Sequence, residues 1–386
     1  MRRVLTPRLA LVTSAHFTID AYSSFLTPLL PLLVARLDLS LTSVGSLMAL
    51  SSLASSLSQP LFGLWADRLR RPWFVVGGPV LAAVFLSAVG AAPSFAVLAG
   101  LVMLGGLGSA AFHPQAAGLA GRLSERRAIA LSFFVTGGTL GYSLGPLYAV
   151  AAASVLGLRR TWLASLPGLV VAALLAAWLV RSGSGTHPIA ARARLSELRP
   201  VWWPLTMIYL AGVSRSAVSF GFQIFLPLLL HQRGFSVAAG GGILTAYLAS
   251  GAVGGFLGGW AADRWGGRGV LIRSFAGALP LYLAFLFLPT GPGLVCLVLG
   301  SFVLQSALPV NVTMGQELSP AHASTISSLL MGAAWGVGQL LVGPLGALAD
   351  ARGLPTALFF LALTLVGGVA CAVGLPRRTG VVAAER

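Results

Sequence analysis

Charge is what this sequence has least of. Only 9% of its 386 residues are Asp, Glu, Lys or Arg, against roughly 25% in soluble domains. Nine residues are acidic, and lysine is absent, so arginine supplies all 25 basic side chains. A water-soluble globule with so few charges has little to cover its surface, and that class is excluded. Cysteine is nearly missing too. Cys296 and Cys371 both fall in apolar runs, where a thiol packs as a small hydrophobe, so no disulfide framework or cysteine metal site follows. Segments of about ten residues with alternating polarity, which a membrane barrel needs, are also lacking.

What remains is apolar length. The chain is 56% hydrophobic with a mean hydropathy of +0.88, and runs of about 20 apolar residues recur throughout, each enough to cross a hydrocarbon core of about 30 Å as a helix. In lipid every backbone N–H and C=O must be paired within the protein, so helices are the spanning solution left. The first run is too long for a signal-peptide core and leads straight into further runs, which makes it the first transmembrane helix. Twelve spans are expected, at 9–34, 43–66, 73–92, 94–121, 128–156, 161–180, 201–231, 236–262, 270–289, 292–317, 324–350 and 354–375.

The net charge of +16 does not point to nucleic acid, because the arginines form short clusters between spans rather than a basic domain. With the N-terminus in the cytoplasm, only Arg36, Arg159, Arg160, Arg233 and Arg352 fall in outer loops, and Arg215 is the one mid-span arginine. This positive-inside bias predicts a multi-pass protein of the cell inner (plasma) membrane with both termini cytoplasmic.

The sequence also repeats itself. LPLL at 30–33 returns at 226–229, and Asp67 of GLWADR returns as Asp263 of GWAADR, both 196 positions on; GPL at 145–147 returns 198 positions on, at 343–345. Two six-helix halves are therefore expected, 1–180 and 201–386, joined by a polar cytoplasmic linker at 181–200. A parallel repeat of this kind is how one large class of transporters is built, with substrate handled near the bilayer midplane.

At these residues the chain resembles the major facilitator superfamily. GLWADRLRRP, residues 63–72, is similar to that superfamily's signature loop, with Arg70 in place of the usual glycine, and GWAADRWGGR, residues 259–268, is its second-half copy. The resemblance implies that Asp67, Arg71, Asp263 and Arg268 gate the conformational change, an Asp capping a neighbouring helix and pairing with arginine. SAHFTIDAY at 14–22, SSLSQPLFGLWADR at 55–68, GSAAFHPQAAGLAG at 108–121 and GGTLGYSLGPL at 137–147 together resemble the fosmidomycin-resistance branch of drug exporters. That branch implies proton-driven export. The last stretch is also similar to the fifth-helix motif of superfamily antiporters, although Ala149 and Val150 stand where paired glycines are usual. Gly137, Gly141 and Gly145 fall on one helix face and permit close backbone approach, whether or not that has directional meaning.

Asp20 lies about eleven residues into the first span, hence roughly 16 Å deep. An ionised acid at that depth costs on the order of 2.5–3.5 kcal/mol on insertion scales, so it must face a cavity or a partner or carry a proton. His16 stands one turn before it on the same face. The pair reads as a proton-handling element, with direct substrate binding or a structural ion pair as the alternatives. Arg215 sits within one position of the Asp20 equivalent in the second half; it either attracts an anionic substrate with forked hydrogen bonds or serves as counter-ion to Asp20. His113, next to the helix-bending Pro114, and Tyr22, Gln115, Tyr142, Gln223 and Asn311 are the polar groups in spans that can line a substrate cavity.

The expected function is a secondary transporter, acting as a monomer, that exchanges a small drug-like or anionic molecule for protons by alternating access. An uptake symporter or uniporter for a sugar or organic acid shares the same fold signals, and a non-transport sensor or a lipid translocator is the reading from a different class. An enzyme is excluded for want of a phosphate loop, a nucleophile elbow or a metal-ligand cluster, and no cofactor is expected.

Overall fold

The computed structural model describes residues 6–66, 68, 69, 71–124, 126–182 and 195–376. Among them, all regular structure is helical, and twelve helices are long and apolar enough to cross a membrane. We number them α1 (Pro7–Leu37), α2 (Leu41–Ala66), α3 (Phe74–Ala91), α4 (Phe95–Ala120), α5 (Ile129–Leu156), α6 (Leu158–Arg181), α7 (Leu198–Gln232), α8 (Val237–Trp265), α9 (Gly267–Phe287), α10 (Thr290–Leu318), α11 (Thr325–Arg352) and α12 (Leu354–Val373). Each coincides with an expected span to within a few residues. Residues 183–194, most of the expected linker, and Asp67 lie outside the described residues.

The helix starts follow from short polar side chains placed before apolar runs. Thr6 Oγ1 accepts from Leu9 N at 3.1 Å, with Pro7 as first helical residue, and Ser40 Oγ accepts from Ser43 N at 3.0 Å. Such caps satisfy N–H groups that have no partner inside the helix. Ser236, 196 positions beyond Ser40, does the same for Ala239 N at 3.1 Å.

The repeat seen in the sequence is carried by the backbone as well. Positive φ occurs at Asp38 (49°) and at Gly234 (86°), and again at Gly157 (80°) and Gly353 (83°); each pair is 196 positions apart. The first pair closes the turns that follow α1 and α7, the second those that follow α5 and α11. Glycine takes this left-handed conformation without steric cost, whereas Asp38 tolerates it as one of the few residue types that do.

By internal contacts the chain divides into two compact units, one of Met1–Ile189 with Ile224–Ala249, the other of Ala190–Gln223 with Ser250–Arg386. In the first, the glycines of α5 face α1 as their spacing predicts. A Cβ on Gly137 would strike Thr13, one on Gly141 the backbone of Phe17, and one on Gly145 the backbone of Ala21. In the second, Gly254 and Gly258 of α8 meet the backbone of α10 at Phe302 and Ser306 in the same way. Lipid tails are as apolar as leucine, so helix association rests on such close van der Waals packing rather than on hydrophobic burial.

Candidate functional site

The α1–α5 seam sets the position of the buried acid. His16 and Asp20 project from one face of α1, one turn apart, with His16 Nε2 3.3 Å from Asp20 Oδ2. From α4, His113 reaches the other carboxylate oxygen, its Nε2 3.1 Å from Asp20 Oδ1. The three side chains are 8%, 17% and 25% exposed in the order His16, Asp20, His113, so His16 is the most enclosed member and His113 the least.

Both imidazoles are fixed from behind. His16 Nδ1 donates to the carbonyl of Phe134 on α5 at 2.7 Å, and the His16 ring stacks on the Phe134 ring with centroids 4.0 Å apart. His113 Nδ1 donates to the carbonyl of Ser109, one turn earlier on α4, at 2.7 Å. Pro114 follows directly and has no N–H to return to the preceding turn, which loosens α4 at this point. Gly138 of α5 forms the floor: a Cβ there would overlap the His16 ring and lie 2.6 Å from Asp20 Oδ2.

These hydrogen bonds dictate the chemistry. A carbonyl oxygen only accepts, so each Nδ1 carries a hydrogen, and in a neutral ring the Nε2 facing Asp20 is then a bare lone pair. An ionised carboxylate between two lone pairs has nothing to bind. Each Nε2–carboxylate contact becomes a hydrogen bond only with a proton in it, so the observed arrangement is complete when the cluster holds two protons beyond those on Nδ1.

The second unit holds a different polar cluster around Arg215 on α7, which is 3% exposed. Its Nη1 donates to Gln305 Oε1 of α10 at 2.6 Å and its Nη2 to Ser216 Oγ at 2.9 Å. Its guanidinium lies 5.6 Å from the ring centroid of Trp335 on α11, within cation–π range. Gln305 ends the first segment of α10, which breaks at Ser306 before continuing from Ala307. Asn311 packs against Gly212, one turn from Arg215, and is 3% exposed. Among the described residues, buried Asn311 Oδ1 and Trp335 Nε1 meet no hydrogen-bond partner, an acceptor and a donor open to a water or a ligand.

The remaining sequence candidates have other surroundings. Tyr22 is buried, and its hydroxyl donates to the Ala164 carbonyl at 2.6 Å and accepts from Gly168 N at 3.3 Å, which holds the start of α6. Gln115 Oε1 accepts from Val75 N at 3.2 Å and so ties α4 to the start of α3. Tyr142 is half-buried on α5 and Gln223 is buried on α7. Of the gating set, Arg71 and Asp263 are exposed, and Arg268 Nη2 donates to the Val373 carbonyl at the end of α12, at 2.8 Å. Such a contact satisfies a carbonyl that the helix itself leaves unpaired.

Sequence reasoning paired His16 with Asp20 but placed His113 among the cavity candidates, and it found no metal-ligand cluster; the fold brings a nitrogen from each histidine and a carboxylate oxygen within 4.8 Å of one another. It missed Phe134, Gly138 and Trp335 in their present roles. For Gly138 a signal existed, since it stands inside GGTLGYSLGPL. A backbone carbonyl such as that of Phe134 leaves no signal at all.

Twelve apolar helices, with charged or hydrogen-bonded polar groups buried at span depth, define the class as a membrane transporter. The Major Facilitator Superfamily model matches residues 12–343, and the chain belongs to that family. It is 28% identical over 377 residues to an uncharacterized MFS-type transporter, YfnC, of Bacillus subtilis (strain 168), covering 94% of this chain and 91% of that one. It is 29% identical over 356 residues to the fosmidomycin resistance protein of Escherichia coli (strain K12), covering 89% of this chain and 86% of the relative. Among solved structures, a bacterial homologue of the human lysosomal transporter Spinster superposes with a TM-score of 0.76 at 18% identity, covering 95% of both chains.

Proposed function

We propose that this chain is a proton-driven exporter of a small anionic or drug-like molecule, working by alternating access in the inner membrane as a monomer with both termini cytoplasmic. The observation that carries the reading is Asp20 held between His16 and His113, with both Nδ1 atoms committed to backbone carbonyls. A site whose hydrogen bonds are complete with protons and vacant without them exchanges protons with whichever side it faces. Burial in the membrane core makes the charged, unpaired form costly, so proton loading and release are tied to the protein's conformation.

In this mechanism protons enter the cluster from the outer side and leave to the cytoplasm, while substrate travels the opposite way. The substrate's negative charge is assigned to the second half. There Arg215 supplies a fixed cation, and Asn311 and Trp335 supply an unused acceptor and donor. The Escherichia coli relative is named for resistance to fosmidomycin, which supports export as the direction. Asp67, Arg71, Asp263 and Arg268 are assigned to gating, as the resemblance of 63–72 and 259–268 to the signature loop implies.

Everted membrane vesicles test the direction. With an acid interior, addition of fosmidomycin or another small phosphonate or carboxylate should dissipate the proton gradient and accumulate the compound inside. Accumulation in right-side-out vesicles under an inward proton gradient would make the protein an uptake symporter instead. Gradient-independent equilibration in both would make it a uniporter.

A further inference from the structure

We propose that the His16–Asp20–His113 cluster is a binding site for a divalent transition-metal ion of the zinc class. The donor set is two imidazole nitrogens and one carboxylate, which suits Zn²⁺, Co²⁺ or Ni²⁺ and disfavours Mg²⁺ and Ca²⁺, ions that seek oxygen cages. Nothing in the transport reading requires this; it rests on the geometry of the donors.

Three observations support it. With metal–ligand bonds of about 2.0–2.1 Å, ligands at tetrahedral angles stand roughly 3.3 Å apart. His16 Nε2 is 3.3 Å from Asp20 Oδ2 and His113 Nε2 is 3.1 Å from Asp20 Oδ1, so each imidazole meets its own carboxylate oxygen at that spacing; with one donor atom per residue the three fall within 4.8 Å of one another, a set that side-chain rotation must draw in to close on one ion. Next, both ring Nδ1 atoms donate to backbone carbonyls at 2.7 Å. That partner fixes the tautomer with the Nε2 lone pair outward and orients the ring, as the outer partners of metal-bound histidines do. Finally, the set is incomplete on one side. His113 is the most exposed of the three donors at 25%, and water would complete the coordination as fourth ligand.

Charge balance fits as well. The hydrogen bonds of the cluster call for two protons, and one divalent ion supplies the same two positive charges between the same three atoms. The residues packed on the cluster from α5, Phe134 and Gly138, bring no titratable side chain, and Phe112 of α4 adds only an apolar wall. Metal and protons are therefore alternative occupants, and a bound metal ion arrests the proton cycle.

Isothermal titration of untagged, detergent-solubilised protein with ZnCl₂ tests the site, with Co²⁺ absorption as a second readout. One ion per chain is expected, unaffected by excess Mg²⁺. Asp20→Asn and His113→Gln should each weaken it by more than the roughly 10–100-fold that loss of an outer partner costs, while His231→Gln, an exposed histidine on the outer side, leaves it unchanged. His113→Cys keeps a ligand and should add a thiolate-to-cobalt charge-transfer band absent from the wild type, a gain of signal that a misfolded variant does not give. Absence of Zn²⁺ binding in the wild type, or binding that persists in both Asp20→Asn and His113→Gln, overturns the proposal. Loss of metal binding with proton exchange intact would sink this inference alone; metal binding without proton exchange would sink the transport reading alone.

Discussion

His113 Nε2 lies 3.1 Å from Asp20 Oδ1 although 93 residues separate them in the chain, and the far nitrogen of the same ring is held by the Ser109 carbonyl at 2.7 Å. That one relationship turns a membrane-buried acid with a neighbouring histidine into a three-residue cluster with a definite hydrogen count. Several consequences can be measured.

Asp20→Asn keeps the size of the side chain and removes the charge between the two rings. Substrate binding, assigned to the other half, should persist, while transport driven by a proton gradient falls to background. Paired binding and gradient-driven flux measurements on one purified variant separate the two effects.

His113→Gln removes one of the two Nε2–carboxylate contacts and leaves His16 with its Phe134 tie. The number of protons exchanged per substrate should drop by one. An unchanged number would mean that the His113 contact carries no proton.

Gly138→Ala places a methyl group into the His16 ring and against Asp20. Overpacking of this kind costs about 1–3 kcal/mol, so a lowered Tm with impaired proton exchange is expected. Gly100→Ala, where an added Cβ meets nothing within 4 Å, should change neither.

Arg215→Lys keeps the charge but loses the fork that reaches Gln305 and Ser216 together. Hydrogen bonds to charged groups contribute about 1.5–3 kcal/mol, and a weaker affinity for anionic substrates of roughly tenfold or more should result. Tyr22→Phe should leave affinity unaltered, because its hydroxyl is spent on Ala164, a carbonyl that Tyr148 also serves at 2.5 Å.

The fold was legible because its determinants are local or repeated. Apolar length fixes a helix in lipid, and an offset of 196 residues recurs in motifs, in serine caps and in left-handed turns. The site was legible only in part. His16 and Asp20 share a helix face, so their spacing announces them. His113 arrives from α4, and its meeting with Asp20 depends on how closely α1, α4 and α5 pack, which no local pattern states. Polar side chains in spans divide between function and architecture by their partners. Tyr22 spends its hydroxyl on tying helices together, whereas among the described residues Asn311 Oδ1 and Trp335 Nε1 meet no partner, and composition cannot sort one kind from the other.

The central claim is tested most directly by proton release from weakly buffered, detergent-solubilised protein on addition of candidate substrates, fosmidomycin among them, with wild type and Asp20→Asn compared side by side. The account predicts substrate-induced release in the wild type and none in the variant. Release of equal size from both proteins would place the coupling outside the cluster and contradict it.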